Sequence, residues 1–333
     1  MSETGQVGAG DEWPRSVAII GAGTMGLGVG EYFAAAGVRR IRFSEATPEL
    51  ARQVPERLVR RVRGHVEAGL LSEEVVDRAS AVEGADDVAS AVRDADLVFE
   101  AVPERMELKH EVLAACAAAA PEGATIASNT SSLPINELAV AVEKPGRFLG
   151  MHWFNPPEWT PAVEVIPAPA TDAAVVEGVM GFLRRIGKRP AVVGDGPGFV
   201  ANRIQMALFR EALACVQSGL ASPREVDEVV RSSFGFRLPF FGPFIIADMA
   251  GLDVYGSIFE TLERGLGESF RPPNALRSLV EEGRVGTKSG AGFMEYTDEE
   301  REKLLLERDR RYAALNELLG KLPPLEPGPD GDR

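Results

Sequence analysis

The chain alternates short apolar runs with amphipathic stretches. Ser16-Val-Ala-Ile-Ile20 is β-branched and predicts a buried strand; a glycine turn, Gly21-Ala-Gly-Thr-Met-Gly26, follows at once. The next stretch carries Tyr32 and Phe33 among small residues and stops at Gly37, which predicts a helix. Arg40–Ser44 predicts a second strand, so the opening segment reads as a βαβ unit. Residues 48–79 predict one or two amphipathic, Arg-rich helices. Asp96–Val102 predicts another buried strand, with a helix from about 105 to 120. Ala124–Ser128 and Phe148–His152 continue the alternation, and Ala162–Ile166 is strand-like. Strands alternating with helices predict a parallel α/β sheet. After Gly198 the texture changes. From Phe199 to about Leu266 the pattern is helical, and 297–321 is a charged helical pattern. The stretch Gly194–Gly198 is the expected boundary.

The glycine turn fits Gly-x-Gly-x-x-Gly between a strand and a helix, the setting that gives this fingerprint its meaning. Gly21 permits the tight turn, Gly23 lets backbone approach a pyrophosphate, and Gly26 lets the helix pack close to the strand. Thr24 and Met25 complete the set of candidate cofactor contacts in the turn. An acidic residue about 20 positions on is expected to hold the adenosine ribose. Glu45, beside Ser44, is the candidate, and its charge favours NAD over NADP. The expected architecture is thus a Rossmann-type, mostly parallel α/β domain over 15–196, then an all-α helical domain over 197–297. Residues 1–14 are expected as a disordered leader and 298–333 as a helical extension with a loose tail.

Charge and composition narrow the partners. Lys plus Arg number 36 against 50 Asp plus Glu, a net charge of −14. Such a surface repels nucleic acid and anionic membranes, so neither is expected as a partner. The longest apolar run, Val112–Ala120, falls short of the ~20 residues a membrane span needs. The first residues show no apolar segment behind a basic one, so a cytoplasmic location is expected. Two cysteines, Cys116 and Cys215, exclude a disulfide scaffold and a Cys-rich zinc site, and no metal is expected.

Histidines are scarce: His65, His110 and His152. The first two lie in charged helical stretches and read as solvated. His152 ends an apolar strand, where open α/β sheets bind ligands. Glu164 lies in an apolar strand-like segment and needs a partner there. Together they suit a general base, the carboxylate fixing the tautomer and stabilising the imidazolium. The other reading is a core histidine, with Glu164 paired to an arginine.

The combination GAGTMG, FEAVPERMELK, SNTSSL, GMHWFNPP, VEVI, GPGFVANR, GPF..AD..GLD and GTKSGAGF resembles the L-3-hydroxyacyl-CoA dehydrogenase family over roughly residues 16–296. The resemblance implies an NAD-dependent oxidoreductase of fatty acid metabolism, a homodimer whose helical domain dimerises. It implies His152 as base, Glu164 as its orienting carboxylate, Ser131 as a contact to substrate and cofactor, and Asn202 near the reacting oxygen. It also implies Glu104, Lys109, Asn155 and Lys288 as residues lining the NAD site. The family commonly carries Asp where this chain has Ser44, so the ribose carboxylate is displaced to Glu45. Its CoA-binding segment is shorter here and carries arginines. Arg57, Arg60 and Arg61 have the i, i+3, i+4 spacing of one helix face. They read as a patch for CoA phosphates or as a solvated face. The expected reaction is oxidation of a short-chain L-3-hydroxyacyl-CoA to the 3-oxoacyl-CoA, and the reverse. The alternatives are a dehydrogenase of a small non-thioester hydroxy acid, carnitine-like or other, and a non-catalytic NAD-binding structural protein.

Overall fold

The computed structural model describes residues 13–323. The leader expectation for 1–12, and the tail from 324, lie outside these residues. In chain order the elements are β1 (Ser16–Ile20), α1 (Thr24–Ala35), β2 (Arg40–Ser44), α2 (Pro48–Glu67), α3 (Glu74–Ser80) and β3 (Glu83–Gly84). Then come α4 (Val88–Val92), β4 (Leu97–Glu100), α5 (Met106–Ala119), β5 (Thr125–Ser128), α6 (Ile135–Ala139), β6 (Phe148–Trp153) and β7 (Ala162–Pro167). They are followed by α7 (Ala173–Arg185), β8 (Arg189–Val192), α8 (Ala201–Gln217), α9 (Pro223–Ser232), α10 (Pro243–Ala250), α11 (Leu252–Leu266), α12 (Asn274–Glu281) and α13 (Asp298–Lys321). The chain divides into two compact units, the first ending at Leu208 and the second beginning at Phe209, inside α8.

In the first unit the eight strands form one sheet in the order β3-β2-β1-β4-β5-β6-β7-β8. Alternate residues of β1 serve opposite faces. Val17 and Ile19 join the core under α1, α2 and α7, while Ala18 and Ile20 join the core under α4, α5 and α6. Trp13 sets its ring edge-on to Phe182 at 5.9 Å, and Pro14 is buried. The last two residues of the expected leader therefore belong to the core.

The chain runs outward from β1 through β2 to β3, then returns to the other side of β1 as β4. That reversal is the topological switch point, where the carboxyl ends of neighbouring strands splay apart and leave a crevice. All pairings but one are parallel. β6 and β7 are antiparallel, correcting the expectation of parallel alternation at this point. The physical reason is the loop 154–161, too short for the crossover of a dozen or more residues that parallel strands require. The short edge strands β3 and β8 carried no usable pattern.

The second unit is helical, as the sequence predicts. Its apolar core includes Ala247, Leu252 and Leu276. At its centre Asp248 is fully buried and accepts hydrogen bonds from the Phe293 and Met294 amides, both at 2.9 Å, and from the Tyr296 hydroxyl at 2.9 Å. The motifs GPF..AD..GLD and GTKSGAGF therefore meet in one structural knot. Among the described residues no helix is long and apolar enough to cross a membrane.

Candidate active site

The crevice is shaped by the glycine turn. Gly21 sits at φ +98°, and a Cβ there would lie 2.7 Å from the Ala101 carbonyl oxygen on the neighbouring strand end. A Cβ on Gly26 would lie 1.9 Å from the Gly21 oxygen, so α1 packs on the turn only because Gly26 has none. Above Gly23 the space is open. Helix α1 starts there with no acidic residue in its first turn and no side-chain cap, so its N–H groups remain available to an anion. Glu45 reaches back from β2, and its Oε1 accepts from the Ala22 amide at 2.8 Å. A cavity of about 740 Å³ runs along Gly21, Gly23, Thr24, Met25, Ser44 and Glu45.

A second cavity, of about 870 Å³, shares Met25, Ala101 and Val102 with the first and is lined also by Glu104, Lys109, Ser131, His152, Asn155 and Asn202. Six residues from four separate segments thus come to one cleft. His152 is buried, and its Nδ1 lies 2.8 Å from Glu164 Oε2. Antiparallel pairing places the two directly opposite each other in register. The other oxygen of Glu164 accepts from the Val200 and Ala201 amides at 3.0 and 2.9 Å, at the start of α8. Burial pushes the Glu164 carboxyl up, but the His152 contact and these amides outweigh it and hold it below the usual carboxylate range. With Nδ1 committed to the carboxylate, the ring has Nε2 left for the cleft. Phe154 and Phe199 flank the imidazole at 4.4 and 5.7 Å between centroids. The arginine-partnered alternative for Glu164 is thereby removed.

Glu104 gathers the SNTSSL segment around itself. Its Oε1 accepts from the Thr130 hydroxyl at 2.6 Å and from the Ser131 and Ser132 amides at 2.8 and 3.0 Å. Burial opposes ionisation, yet the Thr130 hydroxyl, the Lys109 charge and these amides pull the carboxyl down to about 2. Lys109 is not a solvated lysine: it is buried, with Nζ 2.7 Å from Glu100 Oε1 and 3.4 Å from Glu104. Glu100, which the sequence reading passed over, also accepts from Ser128 Oγ at 2.5 Å. A carboxylate ending the apolar run of β4 was the available signal, because a buried charge requires a partner. Asn202 Nδ2 donates to the Ser131 carbonyl at 3.0 Å, joining those two candidates.

The remaining candidates behave differently. Lys288 belongs to the second unit and pairs there with Asp253 at 2.5 Å. The arginines of α2 form neither a single exposed patch nor a solvated face. Arg57 Nη2 donates to the Ala22 carbonyl at 2.8 Å, closing the glycine turn. Arg60 is exposed and pairs with Glu56 at 2.7 Å. Arg61 turns inward to Glu31 and Glu158. His65, read as solvated, instead faces Glu31 and packs edge-on to Trp159 at 5.4 Å. His110 bonds the Glu137 carbonyl at 3.0 Å.

A dinucleotide fits this tandem cleft in shape and in charge. Open helix N–H groups lie beside the turn, a carboxylate stands at one end, and a His–carboxylate pair stands at the other. The family descriptions "3-hydroxyacyl-CoA dehydrogenase, NAD binding domain" and "3-hydroxyacyl-CoA dehydrogenase, C-terminal domain" match residues 16–196 and 198–296. The chain belongs to the 3-hydroxyacyl-CoA dehydrogenase family. Members of this family are NAD-dependent oxidoreductases, so this chain is an enzyme, its cofactor is NAD, and the non-catalytic reading falls away. A probable 3-hydroxybutyryl-CoA dehydrogenase of Bacillus subtilis is 37% identical over 85% of this chain and 98% of its own. The 5-formyl-3-hydroxy-2-methylpyridine 4-carboxylate 5-dehydrogenase of Mesorhizobium japonicum is 35% identical over 92% of this chain and 98% of its own. The crystal structure of a 3-hydroxyacyl-CoA dehydrogenase from Archaeoglobus fulgidus superposes with a TM-score of 0.72 at 31% identity, covering 92% of this chain and 99% of that one.

Proposed function

We propose that this enzyme oxidises the 3-hydroxyl of a short-chain L-3-hydroxyacyl-CoA to the 3-oxoacyl-CoA, and runs the reverse, in fatty acid metabolism. The observation that carries the reading is the orientation of His152, whose Nδ1 is taken by Glu164 in a cleft shared with Ser131 and Asn202. NAD supplies the hydride acceptor when bound. Nε2 of His152 takes the hydroxyl proton, and Glu164 stabilises the imidazolium that results. Ser131 and Asn202 stand beside the substrate oxygen and orient it as it becomes a carbonyl. Glu104 holds the loop that carries Ser131, and Lys109 anchors Glu104. Glu45 would hold the adenosine ribose of NAD, and its charge would disfavour the 2′-phosphate of NADP.

A second reading is a non-thioester hydroxy acid as substrate. It is favoured by the inward commitment of Arg57 and Arg61, which leaves α2 with one outward arginine of the expected three. The Mesorhizobium relative, whose name carries no CoA, points the same way. Following NADH absorbance against paired CoA esters and free 3-hydroxy acids tests both. Turnover of 3-hydroxybutyryl-CoA far above free 3-hydroxybutyrate supports the first reading, and equal or inverted turnover overturns it.

The enzyme is further proposed to work as a cytoplasmic homodimer. Helix α8 has no buried residue and leaves Ile204, Leu208, Phe209 and Leu213 exposed, apolar surface that a second copy would cover. Sedimentation of the wild type and of Phe209→Glu checks this, the variant being expected to sediment as a monomer.

A further inference from the structure

Outside the cleft, three metal-ligating side chains from three different elements converge. They are Glu31 on α1, His65 on α2, and Glu158 in the loop 154–161. None of them lines either cavity of the active site. Glu31 and Glu158 are buried at 1% and 9% exposure. One candidate ligand atom from each residue lies within 4.8 Å of the other two.

The hydrogen bonding of the cluster is incomplete in a telling way. Arg61 takes one oxygen from each carboxylate: its Nε donates to Glu31 Oε2 at 2.5 Å, and its Nη2 donates to Glu158 Oε1. The second oxygen of Glu31 faces His65 Nδ1. The second oxygen of Glu158, on a side chain only 6% exposed, has no hydrogen-bond partner among the described residues. Arg61 and the nearby Lys188 ammonium balance the two carboxylate charges, so what stays unmet is the buried second oxygen of Glu158, and an unpartnered buried polar atom is costly. A proton on His65 would give Glu31 a donor and would still leave Glu158 Oε2 orphaned. A divalent cation would draw one donor atom from each of His65, Glu31 and Glu158.

We propose that Glu31, His65 and Glu158 form a binding site for one zinc-class divalent cation. One imidazole and two carboxylates are a donor set for zinc, whereas magnesium and calcium favour oxygen ligands throughout. The half-buried His65 and the partly exposed Trp159 beside it leave a path for entry and for a water as fourth ligand. Arg61 holds the distal oxygen of both carboxylates, the place of an outer partner that orients ligands. Gly28 makes room for the site, since a Cβ there would lie 2.7 Å from Glu158 Oε2. No metal is expected from the sequence, and the residues themselves show why. The donors follow no spacing motif, His65 coming 34 residues after Glu31 and Glu158 from a distant loop. The cation ties the loop that carries Asn155 and Thr160 into the cleft to α1 and α2.

The test is calorimetric titration of zinc chloride into the chelator-treated full chain, with tryptophan emission followed in parallel. The expected result is one saturable equivalent, a raised thermal midpoint in zinc, and affinity at least about tenfold weaker in both His65→Ala and Glu158→Gln. Trp159→Phe should keep the heat and lose the emission change, and His110→Gln should bind as the wild type does. Circular dichroism establishes that each variant folds; if Glu158→Gln does not, His65→Ala carries the test. Absence of saturable binding in the wild type, or wild-type affinity in His65→Ala, overturns the proposal.

Discussion

Glu164 in the first unit and Asp248 in the second are both buried carboxylates wrapped by backbone amides. Glu164 accepts from Val200 and Ala201, Asp248 from Phe293 and Met294. They differ in the last partner. Asp248 ends on the Tyr296 hydroxyl, where burial and then the carboxylate push that phenol's pKa up. Among the described residues the network closes there, on a hydroxyl that donates back to the same carboxylate. Glu164 ends on His152, whose second ring nitrogen stays uncommitted toward a cleft. A buried acid with a closed network is a fastener, and one with an open end is a relay. Both residues stand in signature motifs, so motif membership alone does not separate the two uses.

Substitutions should pull the two apart. The largest effect is expected at the open end. His152→Gln should lower kcat by at least about a hundredfold, the scale of general acid–base catalysis, while NAD affinity and thermal midpoint stay near wild type. Asp248→Asn should do the reverse. Donors left without an acceptor in the second unit should cost about 3 kcal/mol in denaturant unfolding, while NAD still binds the first unit. A loss of NAD binding equal to the loss of stability would break the comparison.

Glu164→Gln should sit between them, lowering kcat less than His152→Gln because a neutral partner still orients the ring. The pH dependence sharpens this. The folded carboxyl lies below its usual 4.5, so its stabilising contribution is complete above about pH 4.5 and is lost as pH falls through the lower folded value. Unfolding curves from pH 6 downward should be flatter for Glu164→Gln than for the wild type. The smallest effects belong to α2: Arg60→Ala should leave stability within about 0.5 kcal/mol, as exposed ion pairs do. If the substrate is a CoA ester, its KM should rise with that change while the KM for NAD holds.

The βαβ unit around the glycine turn was legible because a β-branched run, a glycine fingerprint and a helix follow one another without ambiguity. The pair His152 and Glu164 was legible because each is a polar residue in an apolar strand, a conflict that only a partner resolves. The direction of β7 was not, since an apolar period of two is the same in both directions and only the loop length carried the answer. The arginines of α2 failed for a related reason. Spacing says which residues share a helix face, but the carboxylates waiting opposite Arg61 come from residues 31 and 158. Lys109 and Glu100 were separable only once α5 was folded against the end of β4.

The register of β6 against β7 has a consequence for how this enzyme can change. His152 and Glu164 face each other as rungs of a ladder, and the residues between them form the hairpin's loop. Backbone pairing, not the loop, keeps the two in place. Changes in 156–161 that keep Phe154 against His152 and Asn155 in the cleft therefore alter one wall of the cleft while the paired His152 and Glu164 stay in register. In a scaffold wired in this way the shape of the cleft and the placement of its buried pair can vary separately.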